Sequence, residues 1–171
     1  MPNRDEPLHD RQIVVMGVMG AGKTTIGQAL AGRLDCPFID ADDLHPEVNR
    51  RKLASSVALT DLDREPWIEQ IAALIRQLHE RGETAVIACS ALTRSVRATL
   101  TAASDGVVFV HLQGPPAAIR QRLAARKDHF ADPTLLASQY ATLEAPAEAI
   151  LADASGTPEE IVEGIVFALH G

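Results

Sequence analysis

Eight residues near the start of the chain, Gly17, Val18, Met19, Gly20, Ala21, Gly22, Lys23 and Thr24, read G-x-x-x-x-G-K-T. Glycines at that spacing let successive backbone N–H groups turn toward one point. Together with the positive end of a following helix, those donors hold a polyphosphate. Lys23 would reach the β- and γ-phosphates, and the Thr24 hydroxyl would take a place on Mg²⁺. A second group, Asp40, Asp42 and Asp43, supplies carboxylates. If they lie near the loop, one carboxylate can reach the metal through water, while another can accept a hydrogen bond from an acceptor hydroxyl. Phosphoryl transfer to an alcohol needs that division of labour. The competing reading is that Asp42 or Asp43 only caps the next helix. A third group is basic: Arg120, Arg122, Arg126 and Lys127 fall within eight positions. Arg122 and Arg126 stand four apart, on one face of a continuous helix. An arm bringing both arginines onto a triphosphate would exclude water and neutralise charge as the phosphoryl group leaves; the alternative is a solvated surface helix.

These groups need a scaffold, and the hydrophobic pattern supplies one. Ile13, Val14 and Val15 precede the glycine-rich loop as a β-branched run, and Ile26, Leu30 and Leu34 follow it at helical spacing. The pattern predicts strands at 12–16, 37–40, 84–89, 107–112 and 149–151, alternating with helices. The helices fall at 23–34, 45–55 (exposed and basic), 66–82, 90–103, 115–126 and 134–143, with a terminal one after residue 157. Pro66 suits the first turn of the long helix, whose apolar face is Trp67, Ile71, Leu74, Ile75 and Leu78. Thr157-Pro158-Glu159-Glu160 reads as a capping box with Pro at the first helical position. The expectation is an α/β domain over 11–171 with about five mainly parallel strands, after a loose tail at 1–10.

Composition narrows the partners. With 171 residues, 46% apolar and 23% charged, the chain suits one core. Its net charge of −7 provides no global field for nucleic acid. Cys36 and Cys89 are isolated among apolar residues, which predicts free thiols in a reducing cytoplasm. Residues 1–10 carry no apolar stretch of the signal-peptide kind, and no run approaches membrane-spanning length.

The type of phosphate-loop protein depends on the second half of the site. A guanine-reading N-K-x-D is absent, and the strand at 84–89 runs into Ser90 and Ala91 rather than an aspartate. Lys52, Arg64 and Arg97 suit an anionic acceptor, with His45 and Asn49 as hydroxyl partners; taken singly, each also reads as surface charge.

Together these segments resemble the gluconate kinase family, itself similar to shikimate and adenylate kinases. The matching stretches are MGVMGAGKTT (16–25), DADDLHP (40–46) with Asn49 and Lys52, and LTDLDREPW (59–67). They continue with CSAL (89–92) followed by Arg94 and Arg97, RLAARKDHF (122–130) and SQYATLEAP (138–146). The resemblance implies a three-layer P-loop kinase fold with helices on both sheet faces and a small lid at about 122–133. It implies transfer from ATP, with Mg²⁺, to the 6-hydroxyl of D-gluconate, by a cytoplasmic homodimer. Carried over, Asp42 becomes the candidate base or hydroxyl-orienting group and Asp40 joins Thr24 at the metal. The nucleotide site extends to Thr25, Arg122 and Arg126 become lid arginines, and His129 joins the acceptor residues. Related acceptors (another sugar acid or shikimate) and a non-catalytic nucleotide-binding regulator are the alternatives. Departures from the family pattern are Met19 inside the loop, Ser56 and Ala58 for a usual Gly and Pro, Thr93 for Lys and Val96 for an aromatic.

Overall fold

The computed structural model describes residues 6–126 and 133–171. Five parallel strands form one sheet in the order β2-β3-β1-β4-β5, with β1 at Gln12–Met16, β2 at Phe38–Asp40, β3 at Ala85–Ala88, β4 at Val107–Gln113 and β5 at Ile150–Asp153. Among the described residues seven α-helices connect and follow them: α1 at Lys23–Leu34, α2 at Glu47–Ala54, α3 at Asp61–Glu80, α4 at Arg94–Ala103, α5 at Pro116–Ala125, α6 at Pro133–Thr142 and α7 at Pro158–His170. The chain builds the sheet first to one side of β1, through β2 and β3, and then to the other through β4 and β5. The carboxyl end of β1 therefore lies where the winding changes side, the usual crevice of an open α/β sheet.

The apolar strands are continuous because both sheet faces are covered. Ile13, Val15, Val86, Val110 and Leu112 enter one core with Ile26 and Leu30 of α1 and Ile161 and Ile165 of α7. Val14, Met16 and Ile87 enter the other with Ile71 and Ile75 of α3 and Leu100 of α4. Two-residue alternation along β1 to β4 feeds both cores.

One local expectation is corrected. The long helix α3 begins at Asp61, not at Pro66, because Thr60 and Asp63 form a capping box. Asp63 N donates to Thr60 Oγ1 at 3.1 Å, and Thr60 N donates to Asp63 Oδ2 at 2.9 Å. Pro66 is then the sixth helical residue, and the bond it forfeits is to the carbonyl of Leu62, whose side chain is 74% exposed. Residues 6–10, part of the tail expected to be loose, make contacts with the domain. Thr84 Oγ1 donates to Leu8 O at 2.8 Å, His79 Nδ1 pairs with Asp10 at 2.9 Å, and a ring nitrogen of His170 meets Glu6 O at 3.0 Å.

Ser56, where the family pattern has Gly, ends α2 in the left-handed region at φ 57°. Val57 N reaches back to Lys52 O at 2.8 Å and Ser56 N to Leu53 O at 3.1 Å, closing the helix end. A side chain at this φ costs about 1 kcal/mol relative to glycine. Ser56→Gly is therefore expected to stabilise the fold by about 0.5–1 kcal/mol. Thermal unfolding should then rise by about 1–4 °C; an unchanged or lower midpoint would mean the Ser56 side chain makes a compensating contribution.

Candidate active site

The glycine-rich loop leaves β1 and turns directly into α1. Gly22, at φ 99°, is the N-cap residue of α1 and brings no side chain to that helix end, so the first N–H groups face outward for an anion. Gly20 (φ 79°) is fixed by close approach: a Cβ there would stand 2.7 Å from Leu123 Cγ on α5. Lys23 Nζ donates to Gly17 O and Val18 O, both at 3.0 Å. The lysine is partly exposed but hemmed in by protein. That desolvation lowers its pKa, the charges of Asp42 and Asp40 oppose the shift, and the nearby Arg126 adds to it.

The acidic group meets this loop from β2. Asp40 ends the strand; its Oδ1 accepts Asp42 N at 3.0 Å and its Oδ2 accepts the Thr24 hydroxyl at 3.4 Å. Asp40, rather than Asp42 or Asp43, therefore caps the short 3₁₀ helix Ala41–Leu44. The charges of Asp42 and Lys23 act on one another. Among the described residues no donor is hydrogen-bonded to its carboxylate. It reaches solvent yet is crowded by protein, and that desolvation, reinforced by Asp40 and Asp43 and opposed by Lys23, raises its pKa. A hydroxyl and a carboxylate converging at Thr24 and Asp40 fit a hard cation that also takes phosphate and water oxygens. Among the described residues no group of three or more His, Cys, Asp or Glu forms a metal cage.

The basic arm does not present both arginines on one helical face. α5 ends at Ala125, and Arg126 is its C-cap residue in extended conformation, ψ 133°. The helical i, i+4 relation between Arg122 and Arg126 is therefore broken. Arg122 Nη2 donates to Ala154 O beyond β5, whereas the charge of Arg126 is felt at Lys23. His129 and residues 127–132 of the expected lid lie outside the described residues.

On the acceptor side, the structure separates free from committed groups. His45 stacks on Trp67, ring centroids 4.2 Å apart and planes at 14°, and Trp67 Nε1 donates to Ala41 O at 2.7 Å. Trp67 is thus core, as its spacing implied, and also the platform for His45. Asn49 is 1% exposed; its amide donates to Asp63 O at 2.9 Å and meets His45 Nδ1 at 3.3 Å. Arg97 is 7% exposed and donates to Ala91 O at 2.8 Å and Glu144 O at 2.6 Å. Both were expected to be substrate partners; as placed here they hold backbone, because a buried polar group must spend its donors on fixed acceptors. Lys52 is paired with both oxygens of Asp63, at 2.8 and 2.9 Å. That bond, with the Thr60 backbone N–H, lowers the Asp63 pKa to about 2. Arg64 is exposed and meets Asp61 at 3.2 Å, and Thr25 is exposed in the first turn of α1.

Three features went unrecognised in the sequence. Ala91, in the CSAL stretch, adopts φ 43°, a left-handed conformation held by Arg97 on its carbonyl and joined to the loop by Gly17 N donating to Ser90 O at 3.3 Å. Thr93, standing where the family has Lys, is the N-cap of α4 and accepts Val96 N at 3.3 Å. Gln139 Oε1 accepts Met19 N at 2.7 Å; its only trace was its place in the SQYATLEAP stretch.

The shikimate kinase family model matches residues 19–169. A probable gluconokinase of Dictyostelium discoideum is 41% identical over 166 residues, covering 90% of this chain and 83% of the relative. A gluconokinase of Gluconobacter oxydans is 42% identical over 141 residues, covering 82% and 79%. Among solved structures, a gluconokinase from Sinorhizobium meliloti superposes with a TM-score of 0.84 at 36% identity, over 94% of each chain.

Proposed function

The chain belongs to the gluconokinase family, within the shikimate-kinase group of P-loop kinases, and on that premise we propose that it transfers the γ-phosphoryl group of ATP to the 6-hydroxyl of D-gluconate. The products are 6-phospho-D-gluconate and ADP. The observation that carries this reading is the phosphate loop with Lys23 on it and the Thr24 hydroxyl donating to Asp40 at 3.4 Å, together with the mutual electrostatic influence of Asp42 and Lys23.

In this reading the acceptor oxygen bonds to the γ-phosphorus as the bond to the β,γ-bridging oxygen breaks, and the hydroxyl proton passes to Asp42. The transition state is loose, so Asp42 contributes more through orientation than through early proton removal. Lys23 exchanges its two carbonyl partners for phosphate oxygens. Mg²⁺, held by Thr24 and through water by Asp40, would neutralise charge on the β- and γ-phosphates. Arg126, whose charge already bears on Lys23, stabilises the departing γ-phosphoryl, and Arg122, which in this structure holds Ala154 O, would turn to the triphosphate as the second arginine. His45, Lys52 and Arg64, with His129, would contact the sugar acid, and Asn49 and Arg97 would support that wall.

Arg126→Ala is expected to lower turnover by about 10- to 100-fold with the KM for gluconate little changed, since the charge is needed as the phosphoryl departs. An unchanged rate would return Arg126 to the solvated surface.

Coupled ADP release should be measured over D-gluconate, other aldonates, shikimate and nucleoside monophosphates. Stimulation by D-gluconate above the others is the expected result. Preference for another acceptor would reassign the substrate, and silence on all of them despite ATP binding would favour a nucleotide-binding regulator.

The same reading includes a cytoplasmic homodimer. Two free cysteines are compatible with a reducing compartment, and the homodimer is carried over from the family resemblance. A solution mass near twice 18.3 kDa supports the dimer, and one near 18.3 kDa contradicts it.

A further inference from the structure

The Val18–Met19 peptide of the phosphate loop is held at both ends. Its carbonyl accepts Lys23 Nζ at 3.0 Å and Ala21 N at 3.2 Å. Its N–H donates to Gln139 Oε1 at 2.7 Å. One peptide plane thus connects the phosphate-binding lysine, on one side, to a side chain of α6 on the other. A peptide fixed only at its carbonyl can rotate about the flanking bonds; fixed at both ends, it cannot turn without breaking at least one of these three contacts.

Gln139 is itself tied to the acceptor side. Leu143 N donates to Gln139 O at 2.9 Å, and Glu144 N then donates to Leu92 O at 2.8 Å. Arg97 holds Glu144 O, and Arg94 N reaches Glu144 Oε1 at 3.3 Å. The stretch from Gln139 to Glu144 therefore spans from the phosphate loop to the loop that follows β3. At the other border of the arm, Leu123 of α5 abuts Gly20 so closely that no Cβ fits there. Both helices flanking residues 127–132 bear on the phosphate loop, α5 by contact and α6 by a hydrogen bond.

We propose that Gln139 is a positioning residue for nucleotide binding: it clamps the Val18–Met19 peptide so that Lys23 is preset, and it links the seating of α6 to the shape of the phosphate loop. When a triphosphate enters, Lys23 must leave the Val18 and Gly17 carbonyls for phosphate oxygens. With the N–H still held by Gln139, the peptide keeps its orientation during that exchange. Without the clamp, the loop must be ordered at the moment of binding, and nucleotide affinity falls by the worth of that ordering. Met19 is compatible with this role because its backbone, not its side chain, makes the contact.

The proposal rests on Gly17–Thr24 being the ATP site, and its test separates the two. Gln139→Leu keeps the size and removes the acceptor; Gln139→Glu keeps an acceptor oxygen. In the full-length chain without nucleotide, amide exchange at Met19 should quicken about tenfold in Gln139→Leu and return toward the wild-type rate in Gln139→Glu. The KM for ATP should rise about five- to tenfold in Gln139→Leu, on the scale of one hydrogen bond. The KM for the acceptor should stay within about twofold. A general loss of structure would move both KM values and many amides together, and would overturn the positioning role. Unchanged exchange at Met19, or quickened exchange with an unaltered KM for ATP, would overturn it as well. A wild-type chain that binds no ATP would instead overturn the kinase reading, leaving the exchange measurement as a test of the clamp alone.

Discussion

Asp42→Asn is expected to lower turnover by about 10²- to 10³-fold while the affinity for ATP stays within about twofold. The substitution keeps shape and hydrogen-bonding reach but removes both the charge and the proton-accepting oxygen. Asp42 stands at the start of a 3₁₀ helix whose geometry is set by Asp40, which accepts its backbone N–H at 3.0 Å. The backbone should therefore not move when the side chain changes. Crowding and the neighbouring Asp40 charge raise the Asp42 pKa, and desolvation lowers that of Lys23. The sign for activity follows. As pH falls through the raised value, Asp42 gains a proton and can no longer accept one from the acceptor. As pH rises through the lowered value, Lys23 loses its charge. The profile of kcat/KM, which reports the free enzyme, should show an acidic limb above the usual carboxylate range and an alkaline limb below the usual lysine range. Asp42→Asn should erase the acidic limb. Equal losses of turnover and ATP affinity would mean that Asp42 supports the nucleotide site instead.

Lys23→Met should be more damaging, with kcat/KM for ATP falling by about 10³- to 10⁴-fold. Methionine replaces the stem but not the ammonium, so the β- and γ-phosphates lose a cation both on binding and in the transition state. The Gly17 and Val18 carbonyls also lose the donor that joins them at 3.0 Å. Both KM for ATP and turnover should suffer, unlike the Asp42 variant. A fall in affinity with normal turnover at saturation would show that Lys23 binds the ground state and the transition state equally.

Much of this was legible in the chain itself. Strand runs such as Ile13, Val14 and Val15 announce themselves because a sheet covered on both faces needs unbroken apolar segments. The phosphate loop was readable because its chemistry belongs to the backbone and only a narrow set of residues permits that conformation. The capping box at Thr157 was found, yet the one at Thr60 was not, because Pro66 offered a competing start signal and Asp63 is a less usual partner than Glu. Arg126 was assigned to a helix that ends one residue before it; spacing gives a face only while the helix continues. Asn49 and Arg97 are polar and looked like ligands. Their burial depends on what folds over them, and sequence spacing does not report that. Gln139 was hidden for the same reason: its partner is 120 positions away.

The central claim is the reaction joined across Asp42 and Lys23, and the phosphorus of the product tests it most directly. ATP, Mg²⁺ and D-gluconate should be incubated with the protein and followed by ³¹P NMR. A phosphomonoester signal coupled to the protons at carbon 6 of gluconate, growing in step with ADP and absent with Asp42→Asn, is the predicted result. Inorganic phosphate in place of the ester, or an ester formed at the wild-type rate by Asp42→Asn, would contradict it.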